Sequence, residues 1–126
     1  MTLVLDSAAF INDSVFSRDE DCFTVQEVID ELKDFKSKQL AEAAVASGKL
    51  KISFVNPVSL KIVENIADEV GSLEHLSEAD LKVVALAVQL NAKVVSDDFT
   101  VQNLCAHIGL PYEGVLRGEI KKKKFF

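Results

Sequence analysis

The sequence predicts an α/β fold, a sandwich built on a mainly parallel sheet. Three observations lead there. Short apolar runs alternate with stretches of helical period along the whole chain. The runs Leu3-Val4-Leu5 and Val94-Val95 are apolar at consecutive positions, as strands covered on both faces are. The chain has 126 residues, enough for one domain and too few for two.

Leu3 to Leu5 reads as the first strand, and Ala8 to Ile11 as a short helix after it. Residues 12–21 are polar and read as a loop. Thr24 caps a helix running to about Lys33, with Val25, Val28, Ile29, Leu32 and Phe35 on its apolar face. A second helix spans Ser37 to Ser47 and stops at Gly48, because glycine takes the left-handed turn that ends helices cheaply. Leu50 to Val55 alternates like a strand, and Pro57 starts a helix that ends near Gly71. Ser77 caps a long helix to about Leu90; the strand Ala92 to Ser96 follows. The last helix covers Phe99 to Ile108 and ends at Gly109. In an open parallel sheet of this kind, ligands bind beyond the carboxyl ends of the strands.

Composition excludes several classes of function. Hydrophobic residues make up 48% and charged residues 27%, which is not the balance of a disordered chain. Cys22 and Cys105 are far apart, with no further Cys or His at ligand spacing, so no zinc site is expected and the thiols suit a reducing compartment. No apolar run is long enough to span a membrane and no signal peptide opens the chain, which reads as cytoplasmic. There is no glycine-rich phosphate loop, and Ser7 and Ser14 lack a nucleophile elbow. His75 and His107 have no acidic or Cys partner in sequence.

The acids carry the chemical signal. Asp6 closes the first strand, where it or Ser7 can cap the next helix. Thr24-Val25-Gln26-Glu27 matches a capping box, which accounts for Glu27. Glu31, one turn on, sits at the edge of the apolar face; a surface pair with Lys33 or Lys36 is the alternative. Ser77-Glu78-Ala79-Asp80 also resembles a capping box, and Asp80 borders the stripe Leu81, Val84, Ala85, Val88. Asp97 and Asp98 follow the strand that ends in Ser96, so that one can cap a helix while the other binds metal. Carboxylates gathered at one sheet edge hold hard divalent cations through oxygen. The formal net charge of −6 argues against a nucleic-acid partner, but acids concentrated around cations leave room for a basic rim. Lys33, Lys36 and Lys38, or Lys49 and Lys51, can form that rim; a solvated helix face is the plainer reading.

In their order, Leu3-Val4-Leu5-Asp6-Ser7-Ala8-Ala9-Phe10-Ile11, Val28-Ile29-Asp30-Glu31-Leu32, Leu76-Ser77-Glu78-Ala79-Asp80 and Val94-Val95-Ser96-Asp97-Asp98-Phe99 resemble a PIN-domain ribonuclease. The resemblance spans about residues 1–115 and leaves 116–126 as a basic tail. It implies a three-layer α/β/α sandwich, a Mg²⁺ or Mn²⁺ cofactor, and hydrolysis of single-stranded RNA to a 5′-phosphate and a 3′-hydroxyl. The family's acidic quartet maps onto Asp6, Glu31, Asp80 and Asp98. Asp6, Asp80 and Asp98, with Asp97, are the expected metal ligands, and Glu31 holds a second ion or positions water. Ser7, Ser96 and Asn103 stand as supporting polar groups. Lys33, Lys36 and Lys38, with Arg117, Lys121 and Lys122 of the tail, are the expected RNA contacts, and Phe16 or Phe23 can stack bases unless they are core.

The stretches 22–34 and 96–103 look like the Nob-type branch, which trims the 3′ end of small-subunit ribosomal RNA. That implies precursor rRNA or the small ribosomal subunit as partner. No Cys pair follows residue 115 for the zinc ribbon usual in that branch. Alternatives are a VapC-like toxin with an antitoxin partner, or a non-catalytic PIN-like module. A homodimer is compatible with either. Lys121 to Phe126 is expected to continue into another domain or to meet a partner.

Overall fold

The computed structural model describes residues 1–115; Arg117, Lys121, Lys122 and the rest of the tail lie outside the described residues. Five strands form one sheet in the order β3-β2-β1-β4-β5, and every pairing is parallel. The strands are β1 Thr2–Leu5, β2 Asp21–Thr24, β3 Leu50–Ile52, β4 Lys93–Val95 and β5 Tyr112–Glu113. The helices are α1 Gln26–Glu31, α2 Phe35–Ala46, α3 Pro57–Glu69, α4 Glu78–Leu90 and α5 Phe99–Ile108. Single 3-10 turns cover Ser7–Ile11, Ser14–Ser17 and Leu73–His75.

The central strands are the most apolar. Leu3, Val4, Leu5 and Val94 are fully buried, as consecutive apolar residues under helices on both faces must be. Helix α4 is the hub of the core and touches β1, β4, α1, α3 and α5. Its residues Val83 to Ala87 are completely covered. It ends at Asn91 in the left-handed conformation (φ 53°), and α5 ends at Gly109 (φ 90°), as the turn residues predict.

Two strands were not expected. Residues 21–24 belong to β2 rather than to a loop and a helix cap. Thr24 is fully buried, and its hydroxyl donates to the carbonyl of Leu5 at 2.7 Å. That contact removes Thr24 as a cap; α1 begins after Val25 without a side-chain cap, and the expected capping box with Glu27 does not form. Glu27 instead accepts from the Lys82 ammonium of α4. Strand β5 is two residues long, too short for any pattern to announce.

The second correction concerns α1. It is six residues long, because Leu32 turns extended (ψ 122°) and Asp34 caps a new helix by accepting from the Ser37 N–H at 2.9 Å. Phe35 therefore opens α2 and is 74% exposed, not part of an apolar face. Phe16 is buried against Phe10, and Phe23 is half-buried beneath the Lys51 ammonium. Neither stands open for a base.

Candidate active site

The carboxyl ends of β1 and β4 lie side by side, since Leu5 is in register with Val95. The Asp6 N–H extends that pairing by donating to the Val95 carbonyl at 3.0 Å, while the Ser96 N–H extends the β4–β5 pairing by donating to the Glu113 carbonyl at 2.9 Å. Ser96 is fully buried and Asp6 is 6% exposed. The Ser96 hydroxyl donates to Asp6 Oδ2 at 2.7 Å and accepts from the Asp98 N–H at 3.1 Å. One hydroxyl thus joins the Asp6 carboxylate to the backbone of Asp98.

Three of the expected acids also cap. Asp6 Oδ1 accepts from the Ser7 N–H at 2.8 Å and opens the 3-10 turn, so Asp6 takes the cap that Ser7 could have filled. Asp98 Oδ1 accepts from the Thr100 N–H at 2.8 Å and starts α5. Asp80 and Ser77 form the capping box that the sequence suggested, with Asp80 Oδ2 accepting from the Ser77 N–H at 2.9 Å. Capping and metal binding do not compete, because a carboxylate has about four lone-pair sites. Asp97 Oδ1 accepts from the Val115 N–H at 2.6 Å and fastens the chain beyond β5. Ser7 is exposed, as is Asn103 on α5. The neighbouring Gln102, not weighed in the sequence, donates to the Ser96 carbonyl at 2.7 Å. Lys33, Lys36 and Lys38 are all exposed around the start of α2.

The charges of the quartet reach one another. Burial pushes the Asp6 carboxyl up, hydrogen bonds from Ser96 and Ser7 hold it down, and the charges of Asp80 and Asp98 raise it further. Glu31, at the end of α1, is raised by desolvation and then by Asp80 and Asp6, with Lys33 opposing. Asp6 therefore senses both Asp80 and Asp98, and Glu31 senses both Asp6 and Asp80. The four share one electrostatic neighbourhood, yet among the described residues no three acidic, His or Cys side chains converge tightly enough to surround an ion. Burial and the neighbouring carboxylate charges act in the same direction on Asp6 and Glu31, and a bound cation would relieve the charge part. The donor set is all carboxylate oxygen, the chemistry of hard divalent ions.

Ser96→Ala tests the bridge. It removes the donor to Asp6 and the acceptor for the Asp98 N–H, so a buried carboxylate and a part-buried N–H both lose a partner. A loss of roughly 1–3 kcal/mol is expected in urea denaturation. An unchanged midpoint would mean that water replaces the hydroxyl fully.

A family profile described as the PIN domain of ribonuclease matches residues 3–90. Endoribonuclease Nob1 of Pyrococcus abyssi is 43% identical over 122 residues, covering 97% of this chain and 73% of that protein. Ribonuclease VapC1 of Thermoplasma acidophilum is 31% identical over 122 residues, covering 97% of this chain and 60% of that protein. Among solved structures, VapBC2 from Rickettsia felis, bound to a DNA fragment from its promoter, aligns with a TM-score of 0.59 at 16% identity. It covers 90% of this chain and 98% of the matched one, a likeness of fold.

Proposed function

The chain belongs to the PIN-domain ribonuclease family, and from that premise we propose that it is an Mg²⁺- or Mn²⁺-dependent endoribonuclease acting on single-stranded RNA in small-subunit rRNA maturation. The observation that carries the reading is the Ser96 hydroxyl bridging Asp6 to Asp98, beside Glu31 and Asp80 at the carboxyl edge of a parallel sheet. The substrate follows from the Nob1 relative, an endoribonuclease by name, of which this chain spans 73%.

Asp6, Asp80 and Asp98, with Asp97, would hold the cation; one oxygen of Asp97 also ties down the loop through the Val115 N–H. Glu31 would take a second ion or orient the attacking water. A bound divalent ion neutralises the phosphodiester and lowers the pKa of that water. The protein's own part is positional. Ser96 fixes one oxygen of Asp6 and the backbone of Asp98, while Ser77 fixes Asp80 at the head of α4. Exposed Lys33, Lys36 and Lys38 meet the RNA phosphates beside the acidic centre. The Arg18 guanidinium bonds both oxygens of Glu113 at 3.0 Å, and Lys93 adds a contact at 3.5 Å; these pairs secure β5 and take no part in the chemistry.

The test is cleavage of a single-stranded RNA spanning the 3′ end of small-subunit rRNA, in Mg²⁺ or Mn²⁺ and in EDTA. Cut products with 5′-phosphate and 3′-hydroxyl ends are expected only with metal. Cleavage undiminished in EDTA would sink the proposal. Micromolar to millimolar Mg²⁺ or Mn²⁺ should also raise the melting temperature at neutral pH, because a cation relieves the repulsion within the quartet. Equal concentrations of a monovalent salt should not. The VapC1 relative supports a second reading, a toxin ribonuclease held by an antitoxin. Growth arrest on expression, relieved by a small protein encoded beside this chain, would favour it.

A further inference from the structure

Phe35 has no structural reason to be where it is. An aromatic ring left 74% exposed at the first position of a helix contributes little to the core. Its backbone, however, is fixed from two sides. The Asp34 carboxylate caps the helix through the Ser37 N–H. The Ser37 hydroxyl donates to the Phe10 carbonyl at 3.0 Å, in the 3-10 turn that Asp6 opens. Phe35 is also only four residues beyond Glu31, a span of at most about 14 Å between Cα atoms. The ring is therefore held open near the acidic centre by its own helix cap and by one contact to the turn that Asp6 opens.

Three lysines lie within three residues of it: Lys33, Lys36 and Lys38, all exposed. Lys33 is close enough to Glu31 to lower its pKa. The only acid in the segment, Asp34, is engaged as the helix cap. In a chain of net charge −6 this is a local basic strip with an aromatic ring in its middle. A polyanion with flat, apolar faces at intervals matches both properties; an acidic peptide would match only the charge.

We propose that Phe35 is a stacking platform for one unpaired base of the RNA substrate, with Lys33 and Lys36 holding the phosphates on either side of it. This rests on the endoribonuclease reading above and adds how the substrate is seated. Single-stranded recognition combines a basic track with aromatic faces, and stacking tolerates any base. It also gives selection against duplex, whose bases are already stacked. Phe54, 95% exposed beyond β3, provides an internal control, because Ser53 and Val55 flank it and the lysine that shares its pocket, Lys82, is already paired with Glu27 and Glu78.

The experiment measures anisotropy of a labelled oligouridylate in EDTA, where binding is read without cleavage. Phe35→Ala should weaken binding about 5- to 100-fold. Phe35→Trp should restore it, and Phe54→Ala should stay within about twofold of the parent. An abasic oligoribonucleotide of the same length should bind parent and Phe35→Ala equally, since only the stacked base is lost. The melting temperature of Phe35→Ala should match the parent, which separates a contact with RNA from a role in folding. Phe35→Ala binding like the parent, or losing affinity equally for the abasic strand, overturns the platform while metal-dependent cleavage keeps the functional reading. A parent protein that neither binds nor cleaves single-stranded RNA in any divalent metal overturns both.

Discussion

Asp98→Asn is expected to abolish RNA cleavage and to leave the fold intact. Asparagine caps a helix as well as aspartate does, so the bond from the Thr100 N–H survives and the Asp98 N–H still reaches Ser96. What disappears is the negative charge at the carboxyl end of β4. Losing a ligand that helps a cation stabilise the transition state removes several kcal/mol, on the order of 10³-fold in rate. Single-turnover cleavage at saturating metal reads the loss, and thermal melting should move by no more than about 3 °C. Full activity in this variant would move the metal away from β4 altogether.

Glu31→Gln and Glu27→Gln should separate sharply although one helical turn divides them. Glu27 shares the Lys82 ammonium with Glu78, and both partners of that pair are part-exposed. Removing it costs at most about 1 kcal/mol and should leave cleavage within a few-fold of the parent. Glu31→Gln should lose about 10²-fold or more, because an amide binds a hard cation poorly. Comparable losses in both variants would put Glu27 in the metal site too.

A pH signature accompanies Glu31. Its folded pKa is raised, first by desolvation and then by Asp80 and Asp6. The stability tied to a raised carboxyl is complete below the unfolded value near 4.5 and is lost as pH rises through the folded pKa. Glu31→Gln removes that loss, so without metal it should melt higher than the parent at neutral pH. Near pH 4 the two should melt alike. Glu27→Gln should do the reverse at neutral pH, since Lys82 holds Glu27 below its ordinary range. Melting curves of the three proteins across pH 4–7 decide it.

How much of this was legible in the sequence depends on the range of the interactions. Leu3-Val4-Leu5 and Val94-Val95 announced central strands because burial on two faces writes itself into consecutive residues. Ser77 and Asp80, Gly48, and Gly109 announced helix ends because capping is local. Thr24 misled for the same reason: locally it is a cap, but the Leu5 carbonyl, nineteen positions away, takes its hydroxyl. Strand β2 was hidden because polar Thr24 fills a buried position and apolar Phe23 an outer one, so burial alternates along it while hydrophobicity does not. The acids were found by their places at strand and helix ends. That Ser96 joins two of them is a property of register, which residue order alone does not reveal. Phe35 was assigned to an apolar face because periodicity ran on through the extended break at Leu32.

The order in which the chain supplies these parts has a consequence for its own synthesis. Strand β1 sits at the middle of the sheet, but its neighbour β4 is ninety residues later, Leu3 lying beside Lys93. Such distant pairing forms late, after most of the chain is available. Asp6 is synthesised ninety residues before the Ser96 that holds it, and it has no Asp98 beside it until that stretch has followed. An enzyme that cuts RNA is thus made, on a machine of RNA and along a message of RNA, in a form whose carboxylates are scattered over an unfinished fold. The blade is assembled only when translation of the domain is nearly done.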